Sequence, residues 1–216
     1  MALTTELESV NQMLGHIGEA PVNSLADTAA LPISGSIALT TLREIAKEVQ
    51  TEEWHFNTIS KYEPILEADG KLRLPDNTLF VDPVDKSDDY VQRGLYLYNR
   101  KDKTFIFTST VEVDLTEQLA WDDLPEPARR YITLRASRVF QGRIVGSREL
   151  ESLIAADEMQ ARARLQELDS QSSDRTIFDS SDVYYRLGVN RKYNVISLRS
   201  ACNVAQLKCN YSVITG

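Results

Sequence analysis

Histidine and cysteine are scarce in this chain of 216, and the spacing of the residues that could do covalent or metal chemistry argues against such work. His16, His55, Cys202 and Cys209 are the only histidines and cysteines. They are too scattered to read as a four-ligand zinc set, and two thiols are too few for a disulfide scaffold. The glycines of Gly15-His16-Ile17-Gly18 come too close together for a phosphate loop, and no Gly-Lys-Ser/Thr follows. Asp82, Asp85, Asp88 and Asp89 form an acidic run without the alternating ligands and central glycine of a calcium loop, so they read as a solvated connection. Asp122 and Asp123 are adjacent carboxylates that only a suitable separation in space would turn into an acid and base pair. No Gly-x-Ser-x-Gly or His-Glu-x-x-His is present. No catalytic residue, metal or cofactor is therefore expected.

The residue type that does concentrate is arginine. Arg129, Arg130, Arg135, Arg138, Arg143 and Arg148 fall within one predicted helix and the connection after it. Such a load reads either as a solvated face or as a planar, multidentate surface that grips carboxylates of a neighbouring subunit.

The element that must carry them is a helical hairpin from Leu124 to Asp169. Ile132, Ala136, Val139 and Phe140 recur at helical spacing, and Pro125 and Pro127 suit a first turn, so a helix starts near Leu124. Gly146 and Ser147 provide a stop and a new N-cap. The second helix carries Leu150, Ile154, Asp157, Ala161, Leu165 and Leu168 as its stripe, with Asp157 the one interruption. Earlier in the chain, Leu3, Leu7, Val10, Leu14 and Ile17 predict a first helix. Thr5 and Glu8 supply its capping box, and Pro21 closes it. Ala38, Leu42, Ile45 and Val49 predict a second helix, capped by Ser34 or Ser36 and ending at the Trp54-His55-Phe56-Asn57 cluster. That cluster reads as core or interface area, with His55 packed rather than catalytic.

From about Ile59 the period becomes that of strands. Lys71–Leu74 and Leu79–Val81 are bounded by turn residues, and Tyr90–Val113 reads as a hairpin of Gly94–Tyr98 and Thr104–Val113 about a turn at Asn99–Lys103. After Ser170 a polar joint leads to an arm of short β-prone segments, which must lie on the body or add as strands to another chain. The fold class expected is α+β: a helical bundle from the N- and C-terminal helices, an inserted small β-domain and an extended C-terminal β-prone arm. The boundaries are 1–57 and 117–172 for the helical halves, 58–116 for the β-domain and 173–216 for the arm.

Net charge is −8 and the pI about 4.9, which argues against holding nucleic acid by phosphate neutralisation. No apolar run approaches a membrane span, and the N-terminus lacks a secretion signal, so synthesis in a cytoplasm is expected.

Several segments in order resemble the tail tubular protein A family of short-tailed bacteriophages. They are VNQMLGHIGEAPVNSL from Val10 to Leu25, TEEWHFN from Thr51 to Asn57, LPDNTLFVD from Leu74 to Asp82, RGLYLYNR from Arg93 to Arg100, and LPEPARRYITLRASRVFQGRIVGS from Leu124 to Ser147. The resemblance spans about residues 3 to 180. It implies a structural virion protein: a head-to-tail adaptor that forms a homo-oligomeric, usually dodecameric ring between the portal protein and the tail nozzle. Genomic DNA would pass through the ring without sequence-specific binding. The contact residues expected for a neighbouring copy or the portal are Arg129, Arg135, Arg138 and Arg143, with Trp54, Phe56, Tyr184 and Tyr185. The alternatives are a tail-associated glycan hydrolase using paired carboxylates and a generic cellular scaffold.

Overall fold

In a computed structural model, residues 3–85 and 87–172 are described. The expectations for the arm, including Tyr184, Tyr185, Cys202 and Cys209, lie outside them. The described chain is α+β. Its helices are α1 (Glu6–His16), α2 (Ile33–Gln50), α3 (Glu126–Ile144) and α4 (Arg148–Ser172). Between α2 and α3 run β1 (Thr58–Tyr62), β2 (Ile65–Leu66), β3 (Leu72–Arg73), β4 (Thr78–Pro83), β5 (Tyr90–Arg93), β6 (Tyr96–Asn99) and β7 (Val113–Glu117).

Local chemistry accounts for most helix ends. The Thr5 hydroxyl accepts from Glu8 N at 3.1 Å, while Thr5 N donates back to Glu8 Oε2 at 2.7 Å, so the reciprocal capping box opens α1. Gly18, at φ +78°, supplies the left-handed residue beyond its end. Helix α3 begins after Pro125, with Pro127 in its first turn, where an N–H would have no helical partner. It ends where Gly146, at φ +66°, donates to Gln141 O. The start of α2 differs from expectation. Pro32 stands at its N-cap, no side chain caps it, and Ser34 donates to Glu19 instead. Helix α4 continues through Ser172, into the stretch expected to be a polar joint.

Helix α3 is the axis of the bundle. Its buried residues, among them Ala128, Tyr131, Ile132, Leu134, Ala136 and Phe140, point in nearly every direction, because α1, α2 and α4 all pack on it. The core they share includes Val10, Met13, Leu14, Leu39, Leu42, Val49, Trp54, Leu124 and Leu165. Two buried hydroxyls of α3 find partners, one on a neighbouring helix and one within α3. Thr133 Oγ1 donates 2.9 Å to Ser9 Oγ on α1, and Ser137 donates to Thr133 O.

The strands form two antiparallel sheets, ordered β1-β7-β4 and β2-β3-β6-β5, over a second core of Leu72, Leu74, Val81, Leu97, Phe107, Val113 and Leu115. Here one expectation is overturned. β6 pairs with β5, not with Thr104–Val113. The two-residue turn Gly94-Leu95, with Gly94 at φ +65°, joins Arg93 and Tyr96 directly. A glycine at the first central position is what a type II′ hairpin turn requires. The expected pairing survives only as an isolated bridge between Asn99 and Thr104, and the chain re-enters a sheet at β7, between β1 and β4.

The passage between helices and strands is stitched by buried amides. Asn57 Nδ2 donates to Gln50 O at 2.7 Å and Glu117 O at 3.0 Å. The Gln50 side chain accepts from Leu119 N and donates to Leu119 O. The end of α4 reaches the same place, where Asp169 Oδ1 accepts from His55 N at 2.7 Å.

Candidate subunit interface

The hairpin arginines divide into groups that sequence alone does not separate. Arg129 is the extreme case, at 2% exposure. Its Nε donates to Leu124 O at 2.8 Å, Nη1 to Thr4 O at 2.8 Å and Nη2 to Asp122 O at 2.7 Å. This arginine, expected to face a neighbour, spends its guanidinium within its own chain. All three nitrogens are committed to main-chain carbonyls at the start of α3, where they tie the N-terminal segment to the 3-10 turn Trp121–Asp123.

Arg135 and Arg138 face carboxylates of their own chain. Arg135 Nη2 lies 2.5 Å from Glu48 Oε1 on α2, and its Nη1 donates to Tyr131 Oη and lies 3.8 Å from Glu158. Burial disfavours its charge, yet the hydrogen bonds it donates to Glu48 and Tyr131 outweigh that and raise its pKa above the ordinary value. Arg138 Nε meets Glu158 Oε2 at 2.5 Å. Arg143 Nη1 bonds Thr41 Oγ1 and Glu44 Oε2, at 3.1 and 3.0 Å. On α4, Arg162 reaches Glu52 at 2.8 Å. These pairs fasten α3 and α4 to each other and to α2.

The partner that sequence reading missed is Glu158. The buried stripe of α4 runs Ile154, Glu158, Ala161 and Leu165, so the charged interruption is Glu158, while Asp157 is exposed. The steps of four, three and four residues were the available signal.

What remains unspent is smaller and lies elsewhere. Among the described residues, Arg130 and Arg148 are exposed and have no carboxylate partner. Arg130 borders a shallow groove with Pro127, Asp157, Gln160, Ala161 and Arg164. Trp54, expected at an interface, packs in the helical core. It is 6% exposed and donates from Nε1 to Val49 O at 2.8 Å. Phe56, half-buried, stacks near it at 6.3 Å between centroids. Large apolar side chains stand in solvent on both helices and strands: Ile33 is 82% exposed, Met159 74%, and Leu153 and Ile65 66% each.

His55 is exposed, and its main-chain N–H, not its ring, is what contacts Asp169. No group of metal-ligating side chains is assembled among the described residues, and none of their helices is long and apolar enough to cross a membrane.

A family model described as Tail tubular protein matches residues 7–175. No curated protein matches the chain.

Proposed function

The chain belongs to the tail tubular protein family, structural proteins of the phage tail rather than enzymes, and from that premise we propose that it is a head-to-tail adaptor. In this reading copies close into a ring, dodecameric by resemblance, with the portal protein on one side and the tail nozzle on the other, and the genome leaves through its centre. The family's structural role displaces the glycan hydrolase and the cellular scaffold as alternatives.

The observation that carries the reading is the contrast between satisfied and idle surface. The hairpin's ion pairs are closed within the chain, yet Ile33, Leu153, Met159 and Ile65 stay exposed, and among the described residues Arg130 and Arg148 lack carboxylates. In this reading those apolar side chains are contact area for other chains. Of the arginines first expected at the interface, Arg143, half exposed, keeps its second terminal nitrogen for a partner, and Arg130 and Arg148 join it. A net charge of −8 suits a conduit, because a negative wall repels phosphates and lets DNA slide.

Electron microscopy of the particle's portal vertex tests this. A ring of this chain between portal and nozzle is expected; a vertex complete without the chain overturns the assignment.

A further inference from the structure

The four-stranded sheet turns one face to its core and leaves the other uncovered. Register decides which side chains share the outer face. Ile65 opposes Arg73, Arg73 opposes Tyr96, and Tyr96 opposes Arg93, so all four lie on one side, with Lys71, Val91 and Tyr98 joining them at two-residue steps. Ile106 bridges Lys71 and extends the same face.

These residues form a continuous surface. The Arg93 guanidinium lies 3.6 Å from the Tyr98 ring centre, Tyr98 packs edge-on to Phe105 at 4.8 Å, and Lys71 Nζ stands 5.4 Å from the Tyr96 ring centre. Ile65 and Ile106 are 66% and 53% exposed. Tyrosine and arginine are the residues enriched at interface centres over an ordinary solvated surface. The cations on this face are not equivalent. Lys71 is paired with Asp69, and Arg73 with Glu67 and Asp76, whereas Arg93 has no carboxylate among the described residues.

The complement is on the other sheet. Asp82 on β4 stands directly opposite Asp114 on β7, a cross-strand pairing of like charges that costs stability. Asp114 accepts only the Lys61 main-chain N–H, at 3.1 Å, and Asp82 has no cation among the described residues. Phe80, two residues before Asp82 and on the same face, is 44% exposed. Two uncompensated carboxylates beside an exposed ring match an uncompensated guanidinium held on a ring.

We propose that Arg93 and its tyrosine face on one copy dock against Phe80, Asp82 and Asp114 of the next copy. The proposal rests on the ring reading and names the surface that closes it. Because the two patches lie on different sheets, the contact is heterologous, as a closed ring requires. Stacking on Tyr98 fixes the plane of the Arg93 guanidinium, so little freedom is lost when it forks onto carboxylates. A nucleic-acid ligand is disfavoured, since Lys71 and Arg73 are already neutralised and phosphate binding draws on free cations.

The test uses full-length chains in particles, with copies of the protein per vertex counted by quantitative mass spectrometry and imaging. Asp82→Arg removes a like-charge opposition and so retains the fold, which a thermal melt verifies. Asp82→Arg and Arg93→Asp are each expected to lower the copy number about tenfold, and the double variant, which exchanges the two charges, to restore it. Wild-type copy number in either single variant overturns the proposal, as does a double variant no better than the singles. Loss of DNA binding by Arg93→Asp with assembly unchanged also overturns it, in favour of a nucleic-acid surface. A wild-type vertex without a ring of this chain overturns the ring reading itself, which separates the two failures.

Discussion

Glu158, on α4, holds Arg138 of α3 at 2.5 Å through one oxygen and has Arg135 3.8 Å from the other. That double approach is why a glutamate can be 8% exposed in the bundle. Burying a carboxylate without such partners would cost several kcal/mol. The carboxylate closes the hairpin electrostatically where the sequence shows only a charged stripe.

Removing Glu158 should therefore weaken the isolated chain. Glu158→Ala leaves two guanidinium groups partly buried and without this partner, and a loss of about 2–3 kcal/mol is expected, at the low end for a buried pair because Arg138 is partly exposed. Arg138→Met with Glu158→Leu should recover most of it, since apolar replacements of both partners avoid an orphaned charge. Urea unfolding of the three proteins measures this. Unchanged stability in Glu158→Ala would mean the arginines do not depend on their own chain. By the same argument, reversing Arg135 and Arg138 together would unfold the bundle before it tested any subunit contact.

Arg129 should be the least replaceable hairpin arginine. Lysine has the charge but not the three diverging donors that reach Leu124, Thr4 and Asp122, so Arg129→Lys should cost about 2 kcal/mol and Arg129→Met about 3 kcal/mol or more. Arg130→Met, one residue on and exposed, should stay within about 0.5 kcal/mol. Thermal melts that rank these variants equally would contradict the assignment.

Thr5→Ala should cost about 1 kcal/mol, because it removes the acceptor for Glu8 N and the partner of the Glu8 carboxylate in the capping box. Thr5→Ser should restore nearly all of it. The difference in unfolding free energy between the two variants is the measurement.

Stability should also fall as pH drops below about 6.5. Burial lowers the His16 pKa from its ordinary 6.5, with Asp157 opposing the shift, and Nδ1 is buried without a hydrogen-bond partner. Between the depressed folded value and 6.5 the unfolded chain takes up a proton that the folded chain refuses, so the unfolded state gains as pH falls. The loss levels off below the folded value, and His16→Asn should abolish this slope. Glu8 and Asp69 act in a separate window. Their carboxyls are held below their ordinary 4.5 and 3.8 by hydrogen bonds, Glu8 from Thr5 and Asp69 from Lys71. That stability is present above those values and lost only as pH falls through the lowered ones. Denaturant midpoints from pH 8 to pH 3 resolve the two windows.

What the sequence determined by itself was whatever a few neighbouring residues can settle. Thr5 with Glu8 opens α1, Pro125 with Pro127 opens α3, and Gly146 ends it, because caps and prolines act within one turn. The alternation from Ile59 onward likewise announced strands, and the acidic total followed from composition alone. Partner choice was decided only in three dimensions. Gly94-Leu95 and Asn99–Lys103 are both plausible turns in sequence, and β6 went to β5 because the tighter turn matches strand twist while the intervening strands completed the sheet. Arginine at positions 129, 135, 138 and 143 fixed charge and geometry of donors, but not the acceptors. Glu48 is 87 residues from Arg135, and Thr4 is 125 from Arg129. Only packing of four helices brought them together, and with them the distinction between arginines that hold the fold and those left for another chain.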